Sequence, residues 1–223
     1  MNLNLLLVPI HIAIVCGLTL FTLRFGKEMI ITWLSLLVVI MNLFVLKQIT
    51  FFNLSITPTD ALSVGYLLGL NLIQEFFGKK TAHKTVWISL FISVSFVILA
   101  QIHLAYLPNS HDLSQTHFIF LLKPLPRLMT ASLISFVIVQ FFNLAFFRFL
   151  QRKMSNKYLT TRTILTLILS QIADTVLFNL IGLYGIIANT HHVILFSLMI
   201  KGMIIIFSTP FVYLSRQVIR HEF

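Results

Sequence analysis

Seven apolar stretches follow one another along the chain, at about 3–23, 29–46, 59–77, 85–107, 126–149, 163–185 and 193–215. Each comes close to the ~20 consecutive apolar residues that carry an α-helix across the hydrocarbon core of a bilayer. The composition agrees: 58% of the 223 residues are hydrophobic and 10% are charged, against roughly 25% charged in soluble domains. The sequence therefore predicts an all-α fold, a polytopic integral membrane helical bundle of six to seven transmembrane helices forming a single domain over residues 1–223. The run at the N-terminus, Met1 to Leu23, has no Lys or Arg before it and no small-residue cleavage pattern after it, so it reads as a span rather than a signal peptide.

A net charge of +10 would suit a nucleic-acid binder if it were gathered on one face. Here the basic residues lie between apolar runs, where orientation signals sit. Arg24 and Lys27, then Lys79, Lys80 and Lys84, then Arg148, Arg152, Lys153, Lys157 and Arg162, then Arg216 and Arg220 fall on one side, twelve in all. Lys47, Lys123 and Arg127 fall on the other, and Lys201 lies inside the last span. That bias places the N-terminus outside and the C-terminus in the cytoplasm, with direct nucleic-acid binding not expected. Lys79, Lys80 and Lys84 would hold the inner end of the third helix at an anionic lipid surface. Cys16, the one cysteine, has no intrachain partner, and no Cys or His spacing resembles a metal site.

The third run is the least apolar. It carries Asp60, Gly65, Gly69, Asn71, Gln74 and Glu75, and residues three or four apart share a helix face, so Asn71, Gln74 and Glu75 converge. The sixth run repeats the theme in "SQIADTVLFN", with Ser170, Gln171 and Asp174 on one face and Asn179 closing the segment. The fifth places Gln140 and Asn143 three apart in "VQFFNLAFF". A charged side chain at a helix centre costs about 2.5–3.5 kcal/mol on insertion scales, so Asp174 and Lys201 each need a reason to be there. Either they pair with one another or with amides to fasten helices, or they bind something that crosses. Glu75 near a membrane surface also has Lys79 at i,i+4 as a partner. The longest connection on the outer side, 108–125, holds a short apolar segment from Phe118 to Leu122 that is expected to lie in the interface or to fold over a substrate entrance.

Carboxylates and amides together offer donors and acceptors with little net charge, which suits a small polar heterocycle better than an inorganic anion. No P-loop and no His-Glu-x-x-His is present. No enzyme activity and no cofactor is expected.

The segment "ITPTDALSVGYLLGLNLIQEFFGKKTAHKTVW" at 56–87 resembles the signature of the queuosine-precursor transporters, the YhhQ-like vitamin-uptake family. In that family an apolar helix ends in a polar pair followed by Tyr/Phe-Gly-Lys-Lys-x-Ala. "RLMTASLISFVIVQFFNLAFFRFL" at 127–150 is similar to its Arg-x-x-x-Ala-Ser…Gln-x-x-Asp/Asn helix, "SQIADTVLFNLIG" at 170–182 to its Asp-containing helix, and Lys201 with Pro210 to its last. The likeness runs from about residue 42 to 215, with residues 1–28 as an extra N-terminal span. Asn71 and Asn143 stand where the family more often has Asp. The resemblance implies a fold related to the substrate-binding subunits of vitamin importers, a bacterial inner-membrane location, and import of a 7-deazaguanine base for insertion into tRNA. It leaves open a homo-oligomer, or a vitamin-binding subunit that borrows a separate ATPase module. On that resemblance Asp174 would read the guanine edge, with Glu75 second and Gln171, Asn71, Gln140, Asn143, Gln74 and Asn179 around the base. Arg127 and Lys201 would be the charge partners of the carboxylates in the empty state.

Overall fold

The computed structural model describes residues 3–45, 47, 49–51, 54–123, 125–154, 158–178 and 190–220. Seven long helices account for most of them: α1 Leu3–Arg24, α2 Lys27–Phe44, α3 Thr59–Phe76, α4 Gly78–Ala105, α6 Leu125–Lys153, α7 Leu159–Phe178 and α8 Thr190–Arg220. They coincide with the seven apolar runs and extend past several of them, because a helix keeps its backbone bonds internally satisfied where water is scarce; the end of the sixth run, 179–185, lies outside the described residues. α4 begins at Gly78, so Lys79, Lys80 and Lys84 ride on its first two turns. Gly78 takes φ +83, a left-handed conformation that glycine adopts without a Cβ clash. That single residue reverses the chain between α3 and α4.

Two elements were not anticipated as such. A hairpin of β1 Ile49–Phe51 and β2 Leu54–Ile56 pairs antiparallel, Ile49 opposite Ile56, between α2 and α3. The short helix α5 Gln115–Leu122 takes up the apolar segment of the outer connection. It packs against α4, burying Leu122 beside Ala100, and Gln101 Nε2 donates to the Leu122 carbonyl at 2.8 Å.

α3 is the axis of the bundle and packs against each of the other six long helices. Gly65 and Gly69, one turn apart on α3, face α1 and α2: a Cβ at Gly65 would overlap Val15 Cγ1, and one at Gly69 would lie 2.5 Å from Leu34 Cδ2. Small residues at this spacing let helices approach closely in a membrane, where van der Waals contact rather than water exclusion drives association. Among the described residues five helices (α1, α2, α4 and the Ser132–Lys153 and Ser197–Gln217 parts of α6 and α8) are long and apolar enough to cross a membrane alone. α3 and α7 are not among them. α3 needs no lipid-facing surface because it is enclosed. α7 turns Leu165, Ile168, Leu169, Ile172 and Val176 outward and buries Arg162, Thr163, Thr166, Ser170 and Gln171, the reverse of an amphipathic helix in water.

Candidate functional site

The inward polar faces of α3, α6, α7 and α8 form a seam in three layers. At the end away from the basic cluster, Lys201 Nζ of α8 donates to Asp174 Oδ2 of α7 at 2.7 Å and lies 4.0 Å from Asp60 Oδ1 in the first turn of α3. Lys201 is buried, whereas Asp174 keeps 29% of its side chain accessible. One turn further in on both helices, Gln171 Nε2 donates to Ser63 Oγ at 3.0 Å.

The middle layer is built on amides. Asn143 Nδ2 of α6 donates to Asn71 Oδ1 of α3 at 2.7 Å, and Ser170 Oγ of α7 donates to Asn143 Oδ1 at 3.0 Å. Three helices are thereby tied at one depth by neutral groups. Gln140 stands one turn along α6 from Asn143, and Gln74 Nε2 donates to the Leu144 carbonyl at 3.1 Å. These residues are buried, yet Asn71 Nδ2, Gln74 Oε1, Gln140 Oε1 and Gln171 Oε1 have no hydrogen-bond partner among the described residues. An unfilled buried donor or acceptor costs about 1–3 kcal/mol, and the great majority in folded proteins are paired. Four such atoms lie on the facing sides of three helices.

The innermost layer lies at the basic end, which the charge bias assigns to the cytoplasm. Arg162 Nη2 of α7 donates to Glu75 Oε1 of α3 at 2.5 Å, Gln151 Nε2 of α6 donates to Glu75 Oε2 at 3.0 Å, and Arg162 Nη1 reaches the Met154 carbonyl at 3.5 Å. The guanidinium lies over the Phe147 ring, 5.7 Å from its centroid, a cation–π placement. The Arg162 side chain is 0% and the Glu75 side chain 11% accessible. Glu75 takes Arg162 and Gln151 as partners, not Lys79.

Of the residues singled out from sequence, the structure brings Asp174, Lys201, Gln171, Asn71, Asn143, Gln140 and Gln74 into the outer and middle layers and sets Glu75 apart at the basic end. Asn179 lies outside the described residues, as does the side chain of Arg127. Arg162 was counted with the surface cations and is instead fully buried. Its signal was present: Arg162, Thr166, Ser170 and Asp174 recur every four residues, one polar stripe along α7. Asp60, Ser63 and Gln151 were missed as partners because the contacts join residues that lie far apart along the chain. Among the described residues no group of three or more His, Cys, Asp or Glu could hold a metal ion.

An apolar helical bundle whose central helices turn hydrogen-bonding groups inward, and leave some unfilled, belongs to the class of polytopic membrane transporters. The chain belongs to the family described as "Putative vitamin uptake transporter", whose match covers residues 63–215. It is 26% identical over 216 residues, 96% of this chain and 93% of its relative, to the "Probable queuosine precursor transporter" of Bacillus subtilis (strain 168). No solved structure matches it.

Proposed function

We propose that this protein imports a 7-deazaguanine base, a queuosine precursor or queuine, across the bacterial inner (plasma) membrane for salvage into tRNA. The observation that carries the reading is the set of orphaned amide atoms on Asn71, Gln74, Gln140 and Gln171, buried in the seam between α3, α6 and α7. One free donor and three free acceptors suit a planar base with polar groups around its rim. The name of the Bacillus relative narrows the base to a queuosine precursor.

In this reading Asp174 accepts N1–H and the 2-amino group of the guanine edge. Its carboxylate is the more accessible one, and the ammonium that holds it belongs to a flexible lysine that withdraws when the base arrives. The amides of the middle layer read the carbonyl and the 7-substituent. Glu75, held by Arg162 and Gln151, keeps the basic end shut instead of touching the base. A site made to bond two donors rejects analogues lacking them, because its acceptors are left unpaired.

Uptake tests the reading. Cells lacking their own importer and precursor synthesis are given labelled 7-cyano-7-deazaguanine, 7-aminomethyl-7-deazaguanine or queuine, and queuosine in tRNA is the readout. The expected result is salvage of at least one base, reduced about 100-fold or more by Asp174→Ala while the protein stays in the membrane. Salvage unchanged in Asp174→Ala sinks the role of Asp174. Absence of all salvage with the protein correctly inserted, restored by supplying an ATPase module, favours a vitamin-binding subunit.

A further inference from the structure

We propose that Asp60 is a proton-binding site, and that the outer cluster of Asp60, Asp174 and Lys201 takes up one proton for each base carried inward. The inference rests on the transport reading for its coupling, but not for the proton site itself. The charge count is the starting point. Among the described side chains of this cluster two carboxylates face one ammonium, so with all three ionised it holds one uncompensated negative charge. Charges inside membrane proteins occur paired or where water reaches them, and a buried charge without compensation is the costly case.

The geometry says which carboxylate is short of a partner. Lys201 Nζ sits on Asp174 Oδ2 at 2.7 Å, a charge-assisted hydrogen bond. Asp60 Oδ1 is 4.0 Å from the same nitrogen, beyond hydrogen-bond reach, and its side chain is only 16% accessible. The charged groups that bear on Asp60 are Lys201 from α8 and Asp174 from α7. Among the described residues, α1, α2, α4 and α6 bring no charged side chain to it.

A second observation points to a donor rather than to another ion. Gln171, one turn from Asp174 on α7, bonds Ser63, one turn from Asp60 on α3. Its Oε1 is buried and lacks a donor. An un-ionised Asp60 carboxyl would bring one O–H donor to this end of the seam, and the same proton neutralises the cluster. A metal cation fits less well. It would need several oxygen ligands, and the Lys201 ammonium already stands between the two acids. The cycle balances simply: water on the outer side delivers a proton to the Asp60 carboxylate, the neutral cluster and the base stay in place while the seam closes outward and opens toward the basic side, and water entering from that side takes the proton as the base leaves.

Two measurements on the full-length protein decide the matter. In the first, infrared difference spectra of purified protein at neutral pH look for the C=O stretch of an un-ionised carboxyl. We expect one such band, missing from Asp60→Asn, shifted in Asp60→Glu, and weakened in Asp174→Asn, where Lys201 is left to balance Asp60 alone. In the second, vesicles containing the protein and a trapped pH dye are given 7-cyano-7-deazaguanine from outside. The lumen should acidify as the base enters, and an outside-acid gradient should raise the initial rate several-fold. Asp60→Asn should still exchange base for base but lose both the acidification and the gradient effect. A neutral-pH spectrum without the band, or a band that persists unchanged in Asp60→Asn, overturns the proton site whatever the vesicles do. Base entry without acidification overturns the coupling. A band assigned to Asp60 with no base movement upholds the proton site and sinks the transport reading instead.

Discussion

The two ion clusters at opposite ends of the seam are made of the same chemistry and solved differently. At the basic end one guanidinium meets one carboxylate, with Gln151, the Met154 carbonyl and the Phe147 ring as further partners, and Arg162 Nε lacks a partner among the described residues. At the other end one ammonium is shared by two carboxylates at unequal distances, and Asp174 stays accessible. Arginine's planar fork suits the first task and lysine's mobile point charge the second. A charge-balanced pair enclosed on nearly every side has little to offer a passing solute, so it suits a clasp. An under-compensated cluster has a reason to exchange partners, so it is where binding begins.

The sharpest way to break that contrast is to remove the clasp's cation. Arg162→Ala leaves Glu75 with one amide partner in an enclosed position, and losing one member of a buried pair costs about 3–5 kcal/mol. Thermal unfolding in detergent should show a large loss, and replacing Glu75 by Gln in the same chain should recover much of it. Little loss in the single variant would mean that Glu75 finds water and that the basic end is open. The matched change at the other end is Lys201→Met. Because Asp174 is already partly solvated, exposed-pair energetics apply in part and the stability loss should be about 1 kcal/mol, while base uptake falls steeply. Equal losses in the two variants would erase the distinction between clasp and exchanger.

How much of this was readable in advance follows the physics of each feature. The spans were legible because bilayer thickness sets a length that apolar runs must meet. The polar faces of α3 and α7 were legible because helical spacing is local: Asn71, Gln74 and Glu75, or Ser170, Gln171 and Asp174, meet by geometry alone. Which face meets which was not. Gln151 and Arg162 converge on Glu75 across 76 and 87 residues, and nothing local in "FRFLQRK" separates a clasp residue from an interfacial cation. The hairpin at Ile49–Ile56 was hidden for another reason. Three-residue strands such as "ITF" and "LSI" are too short for a period-two pattern to stand out from any apolar fragment. Arg162 misled the charge count only in its role, since it still lies at the basic end.

A third acid supplies the reference against which both clusters are measured. Asp112 lies outside the spans, ahead of α5, with its Oδ1 accepting from Ser114 Oγ at 2.7 Å, from Ser114 N–H at 2.7 Å and from Gln115 N–H at 3.1 Å. The Ser114 hydroxyl first, then the backbone N–H groups, hold its carboxyl below the ordinary carboxylate range. Its folded value being depressed, its contribution is complete above the unfolded value and is lost as pH falls through the folded one. Protection of the Ser114 and Gln115 amides, measured against the free-chain exchange rate at each pH, should therefore fall only in acid, and Asp112→Asn should remove that pH dependence while leaving the unfolding temperature of the bundle almost unchanged. This is the smallest effect expected, because a solvated carboxylate loses little when its partners go. Should Asp112→Asn unsettle the bundle as much as Lys201→Met, the outer cluster would rank as no more than a surface ion pair, and its unequal sharing of one ammonium between two acids would lose its claim to be the place where binding begins.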